Sequence, residues 1–348
     1  MEAYTVVGRI GEGAHGVVVR AKHNLTGRMV ALKKIPLRRL DQGMPTTALR
    51  EIKALQEINS QHVVRLLDVF AEGAGFVLAF ELMLGDLGEM IRDATRSLTP
   101  AQVKSYMTML LSGVAFLHLH NIMHRDLKPA NLLISDTGQL KIADLGLCRV
   151  FNRQGKRLYS HQVATRWYRA PELLYGARQY NEGVDLWAGE SDIDQLCVVL
   201  QILGTPSETN WPGLSQLPDY KKITFPESKP VLPDAPPDAL DLVKKFVIYY
   251  SDKSTPHLHI RLSSSLPLCN PLVLAEKPVT TLHTLCWPRA LLHHYFFTAP
   301  LATPLSQMPV PPLDKKPPPA TQEYITDFPL HHITDAVRLH LDSLYLKG

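Results

Sequence analysis

The chain of 348 residues is short of several things. It has four cysteines, Cys148, Cys197, Cys269 and Cys286, far apart and with no C-x-x-C pair. That excludes a disulfide framework and a cysteine zinc site, and fits free thiols in a reducing compartment. No run of about 18 apolar residues occurs, and residues 1–8 lack the apolar core of a signal peptide. A soluble intracellular protein with no membrane partner is expected. Charge of either sign is barely in excess: 37 Lys and Arg against 33 Asp and Glu leave a net +4. So small an excess argues against a dedicated nucleic-acid partner. Proline is scarce at first. Of 27, only Pro36, Pro45, Pro100, Pro129 and Pro171 lie in the first 200 residues, so the chain changes character partway along.

What is present suits a globular protein of two domains or lobes, with 45% hydrophobic and 20% charged residues. Residues 4–36 read as short β-branched strands separated by glycines and by Asn24–Gly27. Residues 45–58 take a helical period, with Leu49, Ile52, Leu55 and Ile58 three apart. Apolar runs 63–70 and 76–83 around Gly73-Ala74-Gly75 read as a hairpin. Thr99, Pro100 and Gln102 form a capping-box start for a helix with a stripe of Val103, Tyr106, Met107, Leu110, Leu111 and Val114. A further helix is expected over 192–203. Beyond Gly204 the chain turns loop-rich, and the last fifty residues read as an extended tail.

Three groups of residues carry chemistry. Gly11-Glu12-Gly13-Ala14-His15-Gly16-Val17-Val18 is a G-x-G-x-x-G-x-V pattern between two strands, where glycines let backbone amides approach phosphate oxygens. Lys33 lies on the next strand, with Glu51 on helix 45–58 as the acid to hold it. Then come His124-Arg125-Asp126-Leu127-Lys128-Pro129-Ala130-Asn131, Asp144-Leu145-Gly146 and Ala170-Pro171-Glu172.

In that order these motifs resemble the eukaryotic protein kinases. Residues 45–51 and 163–172 are similar to the cyclin-contacting helix and activation segment of the cyclin-dependent kinase group. Phrases at 31–34, 76–81 and 173–180 are closest to its divergent cell-cycle-related branch. The resemblance implies an α+β bilobal fold: a β-rich N-lobe with one helix over 1–83, a mainly helical C-lobe over 84–298, and a Pro-rich tail over 299–348. It implies ATP and Mg²⁺ as cofactors, protein substrates, and a cyclin-like activator at helix 45–58. It also implies nuclear and cytoplasmic location, with the cilium as a further site, and a role in cell-cycle control.

Roles follow by motif position. The resemblance makes Asp126 the acceptor of the substrate hydroxyl proton, with Lys128 beside the transferring phosphate. Asn131 and Asp144 hold Mg²⁺, and Lys33, paired with Glu51, holds phosphates. The purine lies against Ile10, Val18, Ala31 and Leu133. Phe80 stands behind it, and the backbone of Glu81 and Met83 meets its edge. Ser160 falls at the activating phosphorylation position, with Arg50, Arg125 and Arg149 to gather around the phosphate. Glu172 is expected to pair with Arg261.

The chain also departs from the pattern. Leu145 stands where the family usually has Phe. After Val184-Asp185-Leu186-Trp187 only Ala188–Ser191 precede the next family segment, so most of an anchoring helix is missing. Residues 251–288 read as a foreign insertion of splice or gene-model origin. From Ser254 to His293 only Arg261, Glu276, Lys277 and Arg289 are charged. The histidines at 257, 259, 283, 293 and 294 have no ligand spacing and read as loop residues. Two functions are therefore in contention. One is an ATP-dependent Ser/Thr kinase, proline-directed if the likeness around Arg169 extends to substrate choice; the other is a catalytically impaired isoform that binds partners as a pseudokinase.

Overall fold

The computed structural model describes residues 3–13, 16–36, 52–56, 58–72, 75–93, 95–151, 158–159, 170–180, 182–186, 204–209, 211, 213–220, 236–246 and 290–312. Outside the described residues fall the start of helix 45–58, helix 192–203, the break after Trp187, the 251–288 insertion, and the tail beyond 312.

The first lobe follows from its valines. Strands β1 (Tyr4–Gly13), β2 (Gly16–His23), β3 (Met29–Pro36), β4 (Leu66–Glu72) and β5 (Gly75–Glu81) form one antiparallel sheet in the order β1-β2-β3-β5-β4. Side chains alternate between faces along a strand. Val30, Leu32, Val77 and Ala79 bury on one face with Ala21. Ile35, Val69 and Leu78 bury on the other against Ile52 of helix α1 (residues 52–56). The β2–β3 turn closes at Gly27, whose φ of 69° suits glycine.

The second lobe is held by longer helices. Asp86 ends β6 (Gly85–Asp86) and caps α2 (Leu87–Arg92) in a box with Glu89. Thr99 and Gln102 cap α3 (Pro100–Leu119) with both expected hydrogen bonds, so this start is the one read from sequence. Against α3 pack β7 (Ile122–Met123) and β9 (Leu140–Ile142), and β8 (Leu132–Ile134) pairs with β9. β10 (Arg149–Val150) pairs with β7. The core here joins Leu111, Val114 and Leu117 to Ile134, Leu140, Ile142 and Leu145, so the unusual leucine after Asp144 is fully buried. A second core, around Tyr175 and Trp211, underlies α4 (Pro171–Leu174). α5 (Pro237–Phe246) adds Leu242 to the first core.

Four sequence expectations are corrected. The strand expected from Val63 begins at Leu66, because Val63 bridges Ile142 of β9 instead. His62 and Val64 share backbone hydrogen bonds with Ile142 at 2.8 and 2.9 Å. Helix 45–58 does not reach Ile58: residues 58–60 are non-helical, and the Ser60 hydroxyl accepts the His62 N–H. Ile58 still packs on the core, which explains its place in the periodicity. Residues 290–297, which resemble the closing helix of the family, form a turn leading into a 3₁₀ helix, His294–Phe297, rather than a regular helix.

The fourth concerns the tail and α3 together. Residues 299–312 are non-helical apart from a 3₁₀ turn at Leu305–Gln307, and Met308 is only 5% exposed and joins the core. The segment covers the face of α3 that holds Lys104. Lys104 Nζ donates to the Thr298 carbonyl at 2.9 Å and lies over the Tyr295 ring. Ser105 donates to the Thr303 carbonyl and Tyr106 to that of Pro309. In consequence Lys104 is buried at 2% exposure while Val103, placed in the apolar stripe, is exposed.

Candidate functional site

The loop between β7 and β8 brings the His124–Asn131 motif to the cleft. Its backbone is pinned from below by Asp185, in the 3₁₀ segment Glu182–Leu186. Asp185 Oδ2 accepts the His124 N–H at 2.9 Å and Oδ1 the Arg125 N–H at 2.6 Å. His124 donates from Nε2 to the Ala143 carbonyl at 2.9 Å, and its Nδ1 accepts the Asp126 N–H. These bonds fix the imidazole and hold the loop to the segment carrying Asp144.

Asp126, Lys128 and Asn131 converge on one point. Lys128 Nζ lies 2.9 Å from Asp126 Oδ2. Asn131 Nδ2 donates to the same oxygen at 3.0 Å and to the Asp126 carbonyl at 2.8 Å. With its nitrogen so engaged, Asn131 leaves its amide oxygen as the donor for a cation. Across the cleft Lys33 Nζ lies 3.3 Å from Asp144 Oδ1, both partly buried. A carboxylate and an amide oxygen are the hard donors that Mg²⁺ takes, so the residues present suit that ion. Asp144 holds φ 61° and Arg125 φ 67°, left-handed backbone uncommon outside glycine.

The cleft residues are arranged by the strand register. Val18 pairs with Lys33, and Ala31 pairs with Phe80. Val17, Val18, Ala31, Lys33, Phe80 and Leu133 are half-buried, Ile10 is exposed and Met83 is buried. A Cβ built on Gly11 meets nothing within 4 Å, so space above the strand is open. Glu12 and Gly13 pair with Val17 and Gly16 at the strand ends. Ala14, His15 and Glu51 lie outside the described residues, as do Ser160 and Arg50. Of the expected phosphate-binding arginines, Arg149 is half-buried on β10. Arg125 donates from Nε to the Leu147 carbonyl at 2.8 Å and from Nη1 to the Tyr180 hydroxyl at 2.9 Å. Burial pushes the Glu172 carboxyl up to about 7. Arg261, its expected partner, is outside the described residues.

Several participants escaped the sequence reading. His118, which belongs to no short motif, donates from Nε2 to Asp185 at 2.8 Å, and Tyr180, read only as the end of the 173–180 phrase, accepts from Arg125. Lys141, on β9, binds the Glu81 carboxylate through both oxygens. Only its alternation with buried Leu140 and Ile142 hinted at an outward place. His293, His294 and Asp241 do come together, with donor atoms within 4.8 Å. His293 Nδ1 accepts the Tyr295 N–H and so carries its proton on Nε2, facing Asp241 at 2.9 Å. One ring nitrogen is thus spent on a helix cap and the other on Asp241, and the loop-residue reading of His293 becomes a capping one. Among the described residues Cys148 is a buried free thiol, and no helix is long and apolar enough to cross a membrane.

Residues 4–254 match the protein kinase domain. Cyclin-dependent kinase 20 of Mus musculus is 55% identical over 359 residues, covering 95% of this chain and 95% of the relative. Cyclin-dependent kinase 20 of Homo sapiens is 55% identical over 333 residues, 89% of this chain and 88% of the relative. Cyclin-dependent kinase D-1 of Oryza sativa subsp. japonica is 40% identical over 322 residues, 87% of this chain and 69% of the relative.

Proposed function

Because this chain belongs to the protein kinase family, as a serine/threonine kinase of the cyclin-dependent type, we propose that its cleft transfers the γ-phosphoryl group of ATP to Ser or Thr of protein substrates. The observation that carries this is the meeting of Lys128, Asn131 and the Asp126 carboxylate within 3.0 Å, facing the Lys33–Asp144 pair.

The chain's own residues divide the work. Asp126 orients the substrate hydroxyl and takes its proton at Oδ1 or Oδ2 as the bond to phosphorus forms. Lys128 neutralises charge on the transferring group and holds Asp126 in place. Lys33 holds the phosphates, and Asn131 and Asp144 hold Mg²⁺. When bound, that ion offsets charge on the phosphate oxygens. Val18, Ala31 and Leu133 line the purine site and exclude water from it, and the backbone of Glu81 and Met83 meets its edge.

Finer points rest on the resemblance. The segment around Arg169 supports a Ser/Thr-Pro preference. Helix 45–58 receives a cyclin-like activator, and phosphorylated Ser160 gathers Arg50, Arg125 and Arg149. The lobe division at 83–84, action in cell-cycle or growth control, and location in nucleus, cytoplasm or cilium belong to the same proposal. The rival, an impaired isoform that only binds partners, is favoured by the sequence break after Trp187. One experiment separates them: phosphate transfer from labelled ATP to a generic basic substrate, compared with Asp126→Asn. Transfer by the native chain alone establishes the enzyme; equal signals from both defeat it.

A further inference from the structure

Behind the connection between the lobes lies a charge pair that the catalytic roles leave unused. Glu81 ends β5, and only its backbone is assigned to the purine. Its carboxylate receives Lys141 Nζ on both oxygens, at 2.7 and 2.8 Å. Oε1 also accepts the Arg65 N–H at 2.8 Å, and Glu81 returns its own N–H to the Arg65 carbonyl at 3.1 Å. The side chains are 17% and 15% exposed, sheltered enough for the attraction to be weakly screened.

The positions of the two partners give the pair its leverage. Lys141 sits at the centre of β9, three residues before Asp144. Glu81 stands two residues before Met83. β9 is itself sewn to residues 62–64 through Ile142. One carboxylate therefore joins the end of β5, the segment entering β4, and the strand that delivers Asp144. The connection along the chain from β5 to β6 consists of residues 82–84 alone, so an off-axis ion pair restrains rotation about it.

We propose that Lys141 is a positioning residue for phosphate transfer: its ion pair with Glu81 holds the lobes at the separation at which one nucleotide reaches both the Glu81–Met83 backbone and the Asp144 carboxylate. Loss of the pair lets the lobes open, and the population competent to bind nucleotide falls, which weakens apparent affinity by that fraction. Chemistry in the closed fraction is unchanged. The inference rests on the assignment of ATP to the cleft.

The test uses the full chain with Lys141→Met, Lys141→Arg, Glu81→Gln and the Glu81→Gln/Lys141→Met double variant. ATP–Mg²⁺ affinity is read by titrated thermal stabilisation, alongside KM for ATP and kcat. The expected result for Lys141→Met is about a fivefold to tenfold rise in Kd and KM, with kcat within about twofold, the size of coupling seen for contacting charges. Lys141→Arg restores affinity, and the double variant is no worse than Lys141→Met. Unchanged affinity in Lys141→Met, failure of Lys141→Arg to restore it, or additive losses in the double variant would each overturn the proposal. Should Lys141→Met fail to fold, Lys141→Gln carries the same expectation, since it removes the charge and keeps a polar end beside the Glu81 carboxylate. A native chain that shows no response to ATP overturns the cleft assignment too. A responsive native chain with an unaffected Lys141→Met overturns the ion-pair role alone.

Discussion

His118 and Asp185 meet with Nε2 2.8 Å from Oδ2, both side chains almost wholly buried. The same carboxylate carries the backbone of the catalytic loop, so the pair is a foundation for Asp126 that touches no substrate. Burial by itself would raise the Asp185 carboxyl. The His118 hydrogen bond and charge, with His124 and the Arg125 N–H, outweigh it and hold the group below its usual range.

A carboxyl depressed in the folded state lends stability that is present above its unfolded value, about 3.9, and lost as pH falls through the folded value. Acid unfolding is therefore expected to steepen below about pH 4. Asp185→Asn should lack that acid limb and lose about 3 kcal/mol near neutrality, because the buried amides and His118 keep only a neutral partner. Melting curves from pH 2 to 7 for both proteins check it. An equally steep acid limb in the variant would count against this role.

Asp144→Asn keeps the side chain's shape but turns its ion pair with Lys33 into a contact with a neutral amide and takes a charge from the proposed cation site. Turnover should fall by about 10²- to 10³-fold, the cost typical of one lost electrostatic contact to the transition state. Raising Mg²⁺ should recover part of the loss in the variant and little in the native chain. Initial rates against Mg²⁺ concentration decide this.

Ser160→Ala removes the hydroxyl that the proposal assigns to an activating phosphate. If that phosphate orders the segment through Arg125 and Arg149, the variant should lose most of its turnover and keep its response to ATP in thermal stabilisation. Unchanged turnover with the alanine would remove Ser160 from the account.

Gly138 has φ 80°, and a Cβ there would come within 2.7 Å of the Met308 Cβ. Gly138→Ala must both strain the turn and lift residues 299–312 from the lobe, at a cost of about 1–3 kcal/mol. Met308→Ala, which leaves a hole in the core instead, should cost about 2–5 kcal/mol. Denaturant titration of both variants measures the two penalties.

The parts legible in the sequence are those made by neighbours in the chain. The short β-branched runs of 4–36, the Thr99–Gln102 box and the loop from His124 to Asn131 each specify local geometry, and each stands where expected. Val63 was misjudged because its strand partner is Ile142, and an apolar run does not say which strand it pairs with. Lys104 was missed for a related reason. A lysine within an amphipathic helix reads as solvated, and the carbonyl and ring that bury it come from Thr298 and Tyr295. The Glu81–Lys141 and His118–Asp185 pairs join residues 60 and 67 positions apart, where no spacing rule applies. In the cleft, residue types were readable and mutual distances were not.

The seam between α3 and residues 298–309 also has a consequence in time. Its hydrogen bonds span 194 to 203 positions of sequence. At a synthesis rate of about 5–20 residues per second, α3 leaves the ribosome roughly 10–40 s before the segment that covers it. Throughout that interval Lys104 lacks its carbonyl and its aromatic ring, and one flank of the helix faces water. Until that segment emerges, this flank of the nascent lobe is left uncovered, with only the local Thr99 cap of α3 already at hand.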